Sequence, residues 1–142
     1  MWILGSIAIY GMLLAAPSVV AGGDESSSKD AAAADSFGRI EQEARAGDAR
    51  AQFRLGNIYF YGSEGRKKDY SLAAFWFRKA ALQRLPEAQF NLGVCFDKGL
   101  GVKEDRLEAF KWYDLAGKAG VPQAKYNVAL TFRNGLAAAD SP

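Results

Sequence analysis

The chain has 142 residues, 49% of them apolar and 24% charged, which suits one ordinary globular domain able to bury a core. Eighteen lysines and arginines stand against 16 aspartates and glutamates, and the net +2 is spread along the sequence, so there is no clustered basic face to attract nucleic acid. Histidine is absent and cysteine occurs once, which excludes Ser-His and Cys-His nucleophile pairs, imidazole acid-base work, the common zinc and iron sites and any internal disulfide; no cofactor is expected.

Residues 1–23, MWILGSIAIYGMLLAAPSVVAGG, carry no charged side chain. Small residues at Val19 and Ala21, just after the helix-breaking Pro17, fit a signal peptide cut after Ala21. The run also approaches the ~20 residues that span a bilayer, so an uncleaved membrane anchor over residues 1–21 is the alternative. The expectation is an exported protein, periplasmic or envelope-bound if bacterial, touching a membrane only through this segment if it is retained. Residues 22–35, polar and then alanine-rich, read as a flexible linker.

From residue 36 the sequence repeats itself. Ala51, Leu55, Gly56, Tyr59 and Gly62 return 37 positions later as Ala88, Leu92, Gly93, Phe96 and Gly99, and 36 after that as Ala124, Val128, Ala129, Phe132 and Gly135. Ala73, Trp76, Phe77 and Ala80 return as Ala109, Trp112, Tyr113 and Ala116. A fixed period of this length marks a stacked array. Each half-unit carries an apolar stripe at helical spacing, as in Ala88, Leu92, Cys95 and Phe96. Helices are therefore predicted over 36–46, 49–61, 70–83, 86–98, 106–119 and 122–134. Pro86 and Pro122 sit at first helical positions, Asp105 and Glu108 form a capping box, and Gly62, Gly99 and Gly135 close the leading helices. Gly56 and Gly93 leave room for a neighbouring helix. Predicted core residues are Leu55, Tyr59, Trp76, Phe77, Leu92, Phe96, Trp112, Tyr113 and Phe132. A hairpin of this kind cannot bury its stripe alone, so the units stack.

The pattern Ala-x-x-x-Leu-Gly-x-x-Tyr/Phe-x-x-Gly, then Gly-Val-x-x-Asp, then Ala-x-x-Trp-Tyr/Phe-x-x-Ala, resembles the Sel-one-like repeat family, relatives of the tetratricopeptide repeats. The resemblance covers residues 36–135: a cap helix at 36–47, repeats at 48–84 and 85–120, and a half repeat at 121–135, with 136–142 as a tail. It implies an all-α fold, an α/α right-handed superhelix or solenoid. The first turn, GSEGRKKD, lacks the Gly-Val pair, and Arg84 stands where the other units have Gly47 and Gly120.

Several features that resemble chemistry read as architecture. Gly99 and Gly101 fall in a hairpin turn rather than a phosphate loop, which would require G-x-x-x-x-G-K-[ST] after a strand. Cys95 is a stripe residue with no histidine to activate it. Asp69 and Asp105 are helix caps, and Arg66-Lys67-Lys68 is a loop tip.

What remains for function is surface. The expectation is a non-enzymatic adaptor or scaffold that holds a protein or peptide on the concave face lined by leading helices, as the resemblance implies. Candidate contact residues are Phe53, Asn57 and Phe60, then Phe90, Val94 and Asp97, then Tyr126, Leu130 and Arg133. Phe53, Phe90 and Tyr126 either line that face or pack between units; Phe60, Val94 and Leu130 are read as groove lining. An alternative is an envelope hydrolase or peptidoglycan-ligand-binding protein, since some cysteine-rich members of the family are linked to such ligands; the lone cysteine argues against that subgroup. A structural fragment of a longer array is a third reading.

Overall fold

The computed structural model of the protein describes residues 21–136; the proposed cleavage region upstream and the tail from residue 137 lie outside the described residues. The described residues form six α-helices and no strand: α1 (Ala21–Arg45), α2 (Ala49–Tyr61), α3 (Tyr70–Leu82), α4 (Pro86–Lys98), α5 (Arg106–Lys118) and α6 (Pro122–Thr131), followed by a π-helical turn at Phe132–Leu136. The chain divides into two compact units, Met1–Ser36 and Phe37–Pro142. In the first, residues 21–36, which include the stretch read as a flexible linker, are helical. The reason is local: no proline follows Pro17 in this stretch, and Ala31 to Ala34 are the strongest helix formers.

In the second unit, predicted and observed helix ends agree within a residue for α2 to α5. Aspartate caps explain three of the starts. The Asp48 carboxylate accepts from the Ala51 amide at 2.7 Å, Asp69 from Leu72 at 3.0 Å, and Asp105 from both Leu107 and Glu108 at 3.0 Å. The capping box is only half made. Asp105 N–H donates instead to the Phe96 carbonyl at 2.9 Å, and the Glu108 carboxylate is taken by Lys111 at 2.9 Å. The Asp69 amide repeats the first of these bonds, donating to the Tyr59 carbonyl at 2.8 Å, so each turn is tied back to the helix before it.

α2 with α3, and α4 with α5, form antiparallel hairpins, and α6 packs on α5 as the leading helix of a third unit. Close approach within each hairpin depends on a missing side chain. A Cβ at Gly56 would lie 2.5 Å from Phe77 Cδ1, and one at Gly93 would lie 2.7 Å from Tyr113 Cδ1. The return helix thus lays an aromatic ring directly on the leading helix. Phe77, Leu92, Cys95 and Tyr113 form the centre of one core cluster; Phe37, Ile40, Leu55, Ile58 and Trp76 form a second one between the cap helix and the first hairpin.

Three predicted core positions are less buried than expected; Tyr59, half-buried against both core clusters, is one. Phe132 is 57% exposed although its backbone is still α-helical, because among the described residues no return helix follows α6 to cover it as α3 and α5 follow α2 and α4. Trp112 is half-buried, and the fully buried ring of its helix is Tyr113. Gly135 likewise does not close α6 with a left-handed residue: its φ of 176° is extended, whereas Gly62 and Gly99 cap at φ 72° and 65°.

Candidate functional site

The leading helices carry the nine candidate residues, and the packing sorts them. Phe53 lies 5.9 Å from Phe77 at 41°, and Phe90 lies 5.7 Å from Tyr113 at 39°. The repeat thus reproduces a ring pair within each hairpin, so these rings do not stack on one another from unit to unit. Phe60 is surrounded as well, by Tyr61 at 5.0 Å, Tyr70 at 5.2 Å and Phe77 at 6.0 Å. Phe60 and Val94 are both half-buried, resting on the core cluster with part of each side chain open. Between units, Asn91 Nδ2 donates to Asn57 Oδ1 at 3.1 Å, which links α4 to α2.

The remaining candidates gather at the third leading helix. Asp97 and Leu130 line a cleft of about 430 Å3 whose walls include Arg106, Leu107, Thr131 and Asn134. Its lining is mainly apolar, with one carboxylate and one guanidinium. Arg106 is exposed and lies 3.7 Å from Glu104. Asp97 is half-buried beside the Tyr113 phenol, which also meets Asn127. Burial first, and then the Asp97 charge, push the Tyr113 phenol well above its ordinary range, so it stays a proton donor toward Asp97. Tyr126 is 67% exposed, and Arg133 is exposed with its Nε on Asn134 at 3.4 Å.

Cys95 is fully buried, and burial raises its thiol to about 11, so it is protonated and inaccessible. Among the described residues no group of histidine, cysteine, aspartate or glutamate is placed to hold a metal ion. Arg66 of the basic turn lies 4.0 Å over the Phe37 ring, and Lys68 5.6 Å over Tyr70.

One set of working residues was missed in the sequence. Gln52 and Gln89 are buried and recur 37 apart; each donates to a carbonyl at the end of the preceding helix, Gln52 to Ala44 at 3.1 Å and Gln89 to Ala81 at 3.4 Å. Gln83 adds bonds to the Gly47 carbonyl at 2.9 Å and to Gln52 at 2.8 Å. The repeated Ala-Gln-Phe at 51–53 and 88–90 was the available signal. These amides lock one unit to the next.

Stacked helix hairpins, locked one to the next by glutamine amides, define an all-α repeat solenoid. Residues 49–85 and 86–121 match the Sel1 repeat, and the chain belongs to that family. A Sel1 repeat protein from Oxalobacter formigenes is similar in structure, with a TM-score of 0.61 and 38% identity over 63% of this chain and 67% of that one. So is c5321, a protective antigen of uropathogenic Escherichia coli with an SLR fold, at a TM-score of 0.66 and 38% identity over 70% of this chain and 21% of that one. Among curated proteins, the chain is 32% identical over 65 residues to the ERAD-associated E3 ubiquitin-protein ligase component HRD3A of Arabidopsis thaliana, covering 46% of this chain and 10% of that protein. It is 38% identical over 60 residues to protein sel-1 homolog 2 of Rattus norvegicus, covering 42% and 9%. The chain thus spans about a tenth of the length of these curated relatives. Their repeats support a protein-interaction module as the general class. Among the described residues, no helix is long and apolar enough to cross a membrane.

Proposed function

We propose that the chain is a non-enzymatic adaptor that holds a peptide segment of a partner protein against its leading helices, with the cleft between α4, α5 and α6 as the anchoring point. The observation that carries this reading is the cleft itself: Leu107 and Leu130 offer apolar contact, while Asp97 and Arg106 offer one charge of each sign for register. Phe53, Phe60, Phe90 and Val94 act behind this surface, as packing that fixes the helices. Export through residues 1–21 remains part of the proposal, on the strength of the Val19-x-Ala21 pattern.

The test is affinity capture from the native cell with the unaltered chain and with Asp97→Lys/Leu130→Glu, after matched helicity has been verified by circular dichroism. A partner retained by the first and lost by the second supports the site. Equal retention places the interface elsewhere on the solenoid.

A further inference from the structure

A second cleft shares no lining residue with the one between α4, α5 and α6. It measures about 540 Å3 and runs between the end of α3, the start of α4 and the second half of α5, within the size range of ligand-holding clefts, roughly 300–1,000 Å3. Leu82, Arg84, Gln89, Trp112, Leu115 and Lys118 line it. Leu82 is 67% exposed and Leu115 47%, and Trp112 is the half-buried ring between them and the core.

The repeat supplies its own control for these residues. Leu82 corresponds to Arg45 one unit earlier and to Lys118 one unit later, and Leu115 corresponds to Lys79. At the equivalent tryptophan, Trp76, the Lys79 ammonium covers the indole at 5.9 Å, and the ring is buried. At Trp112 that cation is replaced by leucine and the ring is left open. Basic residues have thus been exchanged for leucine at two solvent-facing positions, and both leucines line the same cleft.

A third departure lies on its wall. Gly47, Arg84 and Gly120 occupy the same turn, each donating its amide to the carbonyl three residues back at 3.0–3.1 Å. The two glycines have φ of 106° and 103°; Arg84 holds φ 65° in the left-handed region that glycine adopts without strain and arginine does not. Arg84 makes no ion pair among the described residues, Lys118 is shared with Asp114 at 2.6 Å, and no carboxylate lines the cleft. Arg84 is therefore the uncompensated positive charge on the wall, above an apolar floor.

We propose that this cleft binds an acidic peptide segment of a partner protein, a leucine or aromatic side chain entering between Leu82, Trp112 and Leu115 while flanking aspartates or glutamates meet Arg84 and Lys118. Electrostatic complementarity selects the sequence; the apolar floor supplies the anchor.

The experiment is selection of random twelve-residue displayed peptides on the full chain, followed by titration of the enriched peptides. Leu82→Ser/Leu115→Ser serves as the contrast, because it removes the apolar floor without adding charge that would itself attract an acidic peptide. The expected peptides combine Leu, Phe or Trp with Asp or Glu, weaken as salt rises from 0.05 to 0.5 M, and bind the double variant about tenfold or more weakly. Arg84→Gly is expected to weaken binding several-fold and to raise Tm. In the unaltered chain, the indole N–H resonance of Trp112, assigned with Trp112→Phe, shifts on titration and that of Trp76 does not. The proposal is overturned by an absence of enrichment, by enriched peptides that are basic or uncharged, or by affinity indifferent to the double variant. A concentration-dependent dimer abolished by the double variant also overturns it, by making a second copy of the chain the occupant.

Discussion

Replacing Gly93 by alanine tests the close packing that the whole solenoid depends on. In an unobstructed helix, the change stabilises by about 0.5–1 kcal/mol, because glycine loses more backbone freedom on folding than alanine. At Gly93 the new methyl would sit 2.7 Å from both Cδ1 and Cε1 of Tyr113, well inside contact distance. Tyr113 cannot easily yield, being fully buried and engaged at its hydroxyl end by Asp97 and Asn127. Overpacking of this kind costs about 1–3 kcal/mol, so the net expectation is a destabilisation of about 1–2 kcal/mol. For a unit of this size that lowers Tm by roughly 4–16 °C. Gly38 is the matched control: it lies in α1, exposed, with nothing within 4 Å of an added Cβ. Urea unfolding of the two variants, followed by circular dichroism with the slope monitored for constancy, should move the midpoints in opposite directions. A Gly93→Ala midpoint raised as much as that of Gly38→Ala would refute the packing argument.

Tyr113→Ala should cost about 3–5 kcal/mol and Trp112→Ala clearly less, since only the former ring is fully buried; equal shifts in denaturant midpoint would contradict that assignment. Asp105→Ala removes an acceptor of two α5 amides and should cost about 1 kcal/mol, read by thermal unfolding, whereas Asp105→Asn, whose amide oxygen can accept the same bonds, should lose little. Cys95 carries a pH dependence. Its thiol ionises near 9.0 in the unfolded chain and near 11 in the folded one, so the stability it contributes is intact below pH 9 and is lost as pH rises towards 11. Denaturant midpoints measured from pH 8 to 10.5 should fall, and Cys95→Ala should remove the part of the fall that begins near pH 9.

The hairpin framework was legible because its determinants are local. Stripe residues such as Ala88 and Leu92, the caps Asp69 and Asp105, and the prolines Pro86 and Pro122 act within one or two turns, and the repeat shows each of them more than once. The candidate site was less legible because its residues are sorted by contacts between elements. Period alone could not tell that Phe60 faces Tyr70 and Phe77 of its own return helix, nor that Phe132 is left exposed where no return helix follows among the described residues. Asp105 to Glu108 has the spacing of a capping box, but the Phe96 carbonyl and Lys111 compete for its two halves. Gln52 and Gln89 repeat visibly, yet their partners lie on the preceding helix.

The central claim is that a partner protein is held at the cleft between α4, α5 and α6, and a photo-crosslinking residue, p-benzoylphenylalanine, tests it most directly. Placed at Leu130 in the full chain expressed in its own cells, it should yield a discrete adduct of higher mass on irradiation. The same residue placed at Glu64, at the exposed tip of the first turn, should yield none. A discrete adduct from Glu64 with none from Leu130 would contradict the account.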